Sequence, residues 1–176
     1  MPKKLRIGFI GTGGIAGGLH LPGYQALDSV EIVAAADISR NALDAFSAKA
    51  GIPEANRFSD YQEMLEKVPL DAVSVCTPNY AHAAASIAAL RAGVNVLCEK
   101  PAATCADELR EMIAAAKESG KLLMIGQTLR FSAGAQQMKH WVDKGELGEI
   151  YFGRAQYLRV RGAPGGPGFI SKDLAA

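Results

Sequence analysis

The sequence predicts an α/β fold, a doubly wound parallel sheet followed by the start of a second α/β domain. Three observations carry that expectation. Short apolar, β-branched runs alternate with segments of helical period, the pattern of βαβ units with helices on both faces of a parallel sheet. The first run breaks into the spacing Gly11-x-Gly13-x-x-Ala16, a turn that leads a strand sharply into a helix. Polar residues stand immediately after the apolar runs, where open α/β sheets bind ligands.

The elements follow in order. Leu5–Ile10 reads as the first strand, and residues 15–26 as a helix interrupted or ended near Pro22. Val30–Ala36 is a second buried strand, with Asp37 at its carboxyl end. Residues 41–50 have helical period and stop at Gly51, with Pro53 just beyond. Phe58 belongs to a short third strand. Ser59-Asp60-Tyr61-Gln62 reads as a capping box for a helix with Tyr61, Met64, Leu65 and Val68 on one face. Residues 70–76 form a buried strand that ends in Thr77-Pro78-Asn79, and an Ala-rich helix runs on to Leu90, with Gly93 as its stop. Residues 94–98 are the next strand, leading into Glu99-Lys100-Pro101. Thr104 caps a helix carrying Leu109, Met112, Ile113 and Ala116 that ends at Gly120, and residues 121–125 are a sixth strand.

Near residue 127 the pattern changes. Residues 133–144 read as a helix carrying Met138, Trp141 and Val142, followed by turns at Gly145 and Gly148. Residues 150–160 alternate as a long, half-solvated strand would. Residues 161–168, RGAPGGPG, are a loop by composition. We therefore expect a nucleotide-binding domain over 1–126 and, over 127–176, an incomplete second domain. A lone strand cannot bury its apolar face, so a partner or a continuation of the chain is expected, and sheet-mediated homo-oligomers with it.

Composition excludes several classes. A net charge of +1 without a Lys/Arg run argues against nucleic acid, and no apolar stretch is long enough for a membrane span. The basic-then-apolar N-terminus is broken by Gly11, Thr12, Gly13 and Gly14, so it reads as a strand rather than a signal peptide. Cys76, Cys98 and Cys105 lack metal-ligand spacing and are odd in number, which suits buried thiols in a reducing cytoplasm and no metal site.

The strand ends select five segments that should line one crevice: residues 11–15, Asp37, residues 77–79, residues 99–101 and residues 126–130. Gly11 permits the turn, and Gly13 lets a pyrophosphate approach the backbone. The helix start, with Gly14 and Ile15, offers free N–H groups. Asp37 follows Gly11 at an offset close to the ~20 residues of a ribose-binding acid. A carboxylate there accepts ribose hydroxyls and repels a 2′-phosphate, which favours NAD; Arg40 nearby keeps NADP open, since it could hold that phosphate. Turn or cap duty is the competing role for Asp37. Lys100 is the candidate catalytic residue, because a positioned, partly desolvated lysine can exchange the hydroxyl proton as hydride leaves. Glu99 orients Lys100 or holds cofactor hydroxyls. Thr77, Pro78 and Asn79 form a cofactor-side loop, with Asn79 alternatively an N-cap. His82, one turn on, either faces the crevice or is structural. His20 and His140 are weaker candidates, and Cys98 has no base to activate it.

Taken together, GFIGTGGIA, AAADIS, CTPNYAHAAASIAALRAGVNVLCEKPAAT and GQTLRF resemble the Gfo/Idh/MocA oxidoreductases. The Thr77-Pro78-Asn79-x-x-His82 and Glu99-Lys100-Pro101 segments are more specific than the glycines. The resemblance implies a Rossmann domain plus a second domain with a large open sheet. It implies NAD(P)-dependent redox chemistry at a hydroxyl or carbonyl of a sugar, inositol or related polyol. It implies Lys100 as the catalytic-site lysine and Gly11 to Ile15, Asp37, Thr77 to Asn79, His82 and Glu99 as cofactor-side. Arg130, with Gln127 in the same GQTLRF segment, belongs to the domain junction on the cofactor side. The family's substrate-domain Asp and His would follow a loop such as RGAPGGPGFISKDLAA, so the chain is expected to be a truncated, cofactor-binding portion. A non-catalytic NAD(P)-binding sensor is the alternative; a methyltransferase is disfavoured by Glu99-Lys100-Pro101.

Overall fold

The computed structural model describes residues 3–158 and 160. Six parallel strands form one sheet: β1 Leu5–Ile10, β2 Val30–Ala36, β3 Arg57–Phe58, β4 Ala72–Val75, β5 Asn95–Cys98 and β6 Leu123–Ile125. Their spatial order is β3-β2-β1-β4-β5-β6, so the chain reverses direction across the sheet between β1 and β4. The helices are α1 Leu21–Gln25, α2 Arg40–Ala50, α3 Tyr61–Lys67, α4 His82–Arg91, α5 Ala106–Ser119 and α6 Ala133–Asp143.

Alternation along each strand sends neighbouring side chains to opposite faces, and the two cores follow. Phe9, Ile7 and Ala35 pack with Leu21, Leu43 and Phe46 beneath α1 and α2. Ile10, Ala36, Val73 and Val75 pack on the other face with Met64, Leu90 and Met112 from α3, α4 and α5. Phe9 is fully buried and meets Phe46 and Tyr24 at ring-centroid distances of 4.8 and 5.7 Å. Burying such a side chain contributes roughly 2–3 kcal/mol. The small residues Ala34, Ala35 and Ala36 let helices lie close on β2.

Register matters most for the site. Ile10 pairs with Ala36 and with Val75, Val75 with Cys98, and Cys98 with Ile125. The strands therefore end level. One further row of backbone bonds crosses the sheet just past them: Gly11 N–H to Ala36 O (2.8 Å), Cys76 N–H to Ile10 O (2.7 Å), Glu99 N–H to Val75 O (2.9 Å) and Gly126 N–H to Cys98 O (2.8 Å).

Several local expectations need correction. The first helix is interrupted near Pro22 rather than ended there. A π-helical turn over Ala16–His20 precedes α1, and Leu21 N–H reaches Ala16 O, which gives the ring of Pro22 a wider turn to occupy. Asp60, not Ser59, caps α3, accepting from Gln62 N–H at 2.8 Å; Gln62 supplies a backbone donor rather than a returning side chain. At α5 the cap position is Cys105. Thr104 donates its N–H and hydroxyl to the Glu108 carboxylate at 2.9 and 2.8 Å, so the side-chain bond runs the other way. These bonds hold the Glu108 carboxyl below its ordinary range.

The strand expected over 150–160 does not form among the described residues. Residues 150–158 are exposed and unpaired in any ladder, because the alternating run finds no neighbouring strand among the described residues. From residue 127 to 158 only Ala135 is more than superficially covered, and α6 buries no residue. The expected loop over 161–168 lies outside the described residues. No helix among the described residues is long and apolar enough to cross a membrane.

Gly11 has φ +86°, and a Cβ there would sit 2.7 Å from the backbone of Cys76 and Thr77. Gly13 has open space around it and an ordinary φ. Gly11→Ala is therefore expected to lose about 2 kcal/mol or more in urea unfolding, and Gly13→Ala to stay within about 0.5 kcal/mol of the parent. Equal losses at the two positions would contradict the close strand approach.

Candidate functional site

The level strand ends open into a crevice at the point where the strand order reverses. Its first wall is the segment after β1. Gly11 turns the backbone against the start of the β4 loop, and the chain becomes helical from Gly14. Gly13 and Gly14 carry nothing within 4 Å of where a Cβ would stand. A phosphate can reach the backbone there, beside the positive end of the helix. Ile15 follows, half-exposed.

Thr12 is buried, and its N–H and hydroxyl both donate to Asp37 Oδ2, at 2.7 and 2.9 Å. Asp37 Oδ1 accepts from Ser39 N–H at 2.8 Å, and Asp37's own N–H binds Phe58 O at 3.1 Å. The carboxylate thus ties the glycine turn to the end of β2. Three of its approximately four lone-pair sites are used, which leaves room for a ribose hydroxyl. Asp37 acts as more than a turn residue, and the Thr12 partner was not visible in sequence.

Between Asp37 and the β4 loop lies a largely apolar cavity of about 130 Å³, lined by Gly11, Ile38, Thr77, Pro78 and Tyr80 among others. Ile38 is 90% exposed and lines this cavity, so it presents an apolar face to whatever lies there. Thr77 Oγ1 is buried without a hydrogen-bond partner among the described residues, and such an atom is costly unless something else satisfies it. Asn79 opens a 3₁₀ turn, Asn79–Ala81, and does not cap α4, whose cap position is Ala81.

His82 is buried between two of the crevice loops. It is 1% exposed, with Nδ1 2.6 Å from Pro101 O and Nε2 2.9 Å from Thr77 O. The ring staples the β4 loop to the segment after β5, which is the structural one of the two uses open to it from the sequence. A neutral ring donates to one of these carbonyls, an imidazolium to both.

Glu99 and Lys100 stand past β5. Glu99 Oε2 accepts from Lys100 N–H at 3.0 Å. Glu99 Oε1 meets His20 Nε2 at 2.9 Å, His20 Nδ1 meets Ser74 Oγ at 3.0 Å, and Ser74 Oγ meets Tyr24 Oη at 3.1 Å. One orientation satisfies the whole chain with a neutral imidazole: Tyr24 donates to Ser74, Ser74 to His20, and His20 to Glu99. Burial pushes the Tyr24 phenol up. Phe9 packs edge-on against both His20 and Tyr24. His20 is therefore a central part of the site's support, although its sequence position gave it little weight. The available signal was Ser74, a serine inside an otherwise apolar buried strand, with His20 and Tyr24 four apart on one helical face.

Gly126 closes on Glu99, where a Cβ would lie 3.3 Å from Oε1. Gln127 and Arg130 lie past the carboxyl end of β6, exposed and separated from β1 by the two strands β4 and β5. Arg40 lies on α2 beyond Asp37, with Nε 2.9 Å from Asp44 and a second bond to Glu54. Burial pushes the Cys98 thiol up to about 11 and the Cys76 thiol higher still, so neither is a nucleophile. Among the described residues no three His, Cys, Asp or Glu gather to hold a metal ion.

An open cradle at Gly13 and Gly14, an unpartnered hydroxyl at Thr77 and spare capacity on Asp37 fit a dinucleotide. Comparison with known proteins agrees. Residues 5–127 match the model of the oxidoreductase family with an NAD-binding Rossmann fold. The chain is 39% identical over 172 residues to the D-glucoside 3-dehydrogenase of Escherichia coli, covering 98% of this chain and 48% of that protein. It is 35% identical over 147 residues to the inositol 2-dehydrogenase of Salmonella typhimurium, covering 82% and 43%. The WlbA dehydrogenase of Bordetella pertussis, solved in complex with NADH and UDP-GlcNAcA, superposes with a TM-score of 0.79 at 32% identity, over 85% of this chain and 45% of that one. The chain spans about half the length of the curated relatives it matches. It belongs to the Gfo/Idh/MocA oxidoreductase family and carries that family's NAD-binding Rossmann fold.

Proposed function

We propose that this chain is the cofactor-binding portion of a dehydrogenase that moves hydride between NAD(H) and a hydroxyl or carbonyl of a sugar, inositol or related polyol. The observation that carries it is the meeting of Gly11, Asp37 and Thr77 around one cavity at the strand-order reversal, with the open turn at Gly13 tied to Asp37 through Thr12. The relatives named for glucoside and inositol support the substrate class. The cofactor-binding domain ends near residue 126, a boundary supported by the exposure of nearly everything that follows. A cytoplasmic location is supported by three free thiols.

Roles divide by position. The first helix turn and Gly13 hold the pyrophosphate, Asp37 the adenosine ribose, and Ile38 with Tyr80 the flat faces of the adenine. Thr77 and Pro78 line the middle of the crevice. Nicotinamide supplies the hydride acceptor or donor when bound. Lys100 takes the substrate hydroxyl proton at Nζ as the adjacent C–H bond gives up hydride, and returns it in reduction. Glu99 holds the Lys100 backbone, and His20, Ser74 and Tyr24 hold Glu99.

NADH fluorescence titration of this chain should give saturable binding, and Asp37→Ala should weaken it by about 10-fold or more through the lost charge-assisted bonds. Identical curves for both proteins would remove Asp37 from the ribose site. In the full-length enzyme, Lys100→Ala should lower kcat by ~10²–10⁴ with NADH affinity kept; unchanged turnover would exclude the lysine from proton transfer.

A further inference from the structure

Past Asp37 a second cavity of about 300 Å³ opens, lined by Ile38, Arg40, Arg57, Ser59, Glu63 and Lys67 among others. It adjoins the carboxylate assigned above to the adenosine ribose, so a substituent on the ribose 2′-oxygen would point toward it. By residue type it resembles a phosphate pocket, since two arginines, a lysine and a serine face it. The side-chain pairing reverses that reading. Arg40 is bonded through Nε to Asp44 and through its terminal nitrogen to Glu54. Arg57 Nη1 lies 3.2 Å from Asp44 and 2.9 Å from Glu54, and its other nitrogens donate to Ile52 O. Lys67 Nζ lies 2.5 Å from Glu63. Three cations thus stand against four carboxylates, Asp37, Asp44, Glu54 and Glu63, and each cation already has an anion.

We infer that Asp44 and Glu54 act as internal occupants of Arg40 and thereby set a preference for NAD(H) over NADP(H). The inference rests on the dinucleotide reading of the crevice. Arg40 is the side chain placed to swing over a 2′-phosphate, and bidentate recognition of a phosphate needs its donors free. Here Asp44, four residues on in α2, binds Nε, and Glu54, in the 3₁₀ turn Glu54–Asn56 before β3, binds Nη2, so a carboxylate already stands against the guanidinium at two of its three nitrogens. A phosphate dianion would have to displace a carboxylate from Arg40 while facing Asp37 unscreened. The pairs are solvent-exposed, with Arg40 57% and Glu54 65% accessible, so the latch is weak enough for single substitutions to release. The mutual bonds raise the Arg40 guanidinium and hold the Asp44 carboxyl below its ordinary range.

The test is a pair of fluorescence titrations, NADH and NADPH, against four proteins: the parent, Glu54→Gln, the double variant Asp44→Asn/Glu54→Gln, and that double variant with Arg40→Ala added. The parent should bind NADH at least about 10-fold more tightly than NADPH. The double variant should gain roughly 3- to 10-fold on NADPH with NADH affinity unchanged, and Glu54→Gln should gain part of that. Adding Arg40→Ala should abolish the gain. A parent that binds NADPH as tightly as NADH overturns the inference, as does an unchanged ratio in both Glu54→Gln and the double variant, or a gain that survives loss of Arg40. Each of these leaves the dinucleotide site standing. Absence of NADH binding by the parent removes the site itself, and the inference with it. If the double variant loses its parental circular dichroism, Glu54→Gln decides alone, since its site is an exposed turn.

Discussion

The row of backbone hydrogen bonds just beyond the strands is the constraint on which the site depends. Parallel strands have no intrinsic need to stop together. Here Gly11, Cys76, Glu99 and Gly126 each donate to the last or next-to-last residue of a neighbouring strand, so all four loops leave the sheet from one line. Residues as distant in sequence as 11 and 126 thereby face a common crevice. The row also demands close backbone approach between β1 and β4, and only glycine meets that demand at position 11, where the backbone is left-handed and a Cβ would overlap Cys76 and Thr77.

On this frame the two ends of the crevice are built by different physics. The phosphate end is nearly side-chain-free: open glycines, a helix start and a carboxylate that ties the turn through Thr12. It is suited to a ligand met by backbone donors. The other end is a chain of partnered polar groups sunk into the sheet, from Tyr24 through Ser74 and His20 to Glu99, walled by Phe9. Such a chain is stable only when every member is satisfied. Removing a member would leave an unpaired buried group next to Lys100, so the support of the chemical end is sensitive to changes well below the surface.

Much of this was legible in the sequence where the signal is local. Strand identity and order of elements follow from short apolar runs, and Gly51 and Gly120 stop α2 and α5 in left-handed caps as their positions suggest. Asp37 and Glu99-Lys100 were identifiable from their place after buried strands. The unread features are pairings across long separations: Thr12 with Asp37, His20 with Glu99, and His82 with Pro101. No periodicity encodes them. The alternation over 150–160 was a true local signal without consequence, because a strand requires a neighbour to pair with and none of the described residues provides one. The caps shifted by one residue reflect the same limit: Ser59 is as good as Asp60 by residue type, and Thr104, the better type, is engaged with Glu108 while Cys105 takes the cap position without a side-chain bond.

The central claim is that one dinucleotide lies along the line of strand ends, from Gly13 to Glu99. It is tested most directly by amide chemical-shift mapping of the isotope-labelled chain during titration with NADH. The predicted result is a single saturable set of perturbations at Thr12 to Ile15, Asp37 to Ser39, Thr77 to Asn79 and Glu99 to Lys100, with the centre of α5 unmoved. Perturbations confined to α5 or α6, or none at saturating NADH, would contradict it.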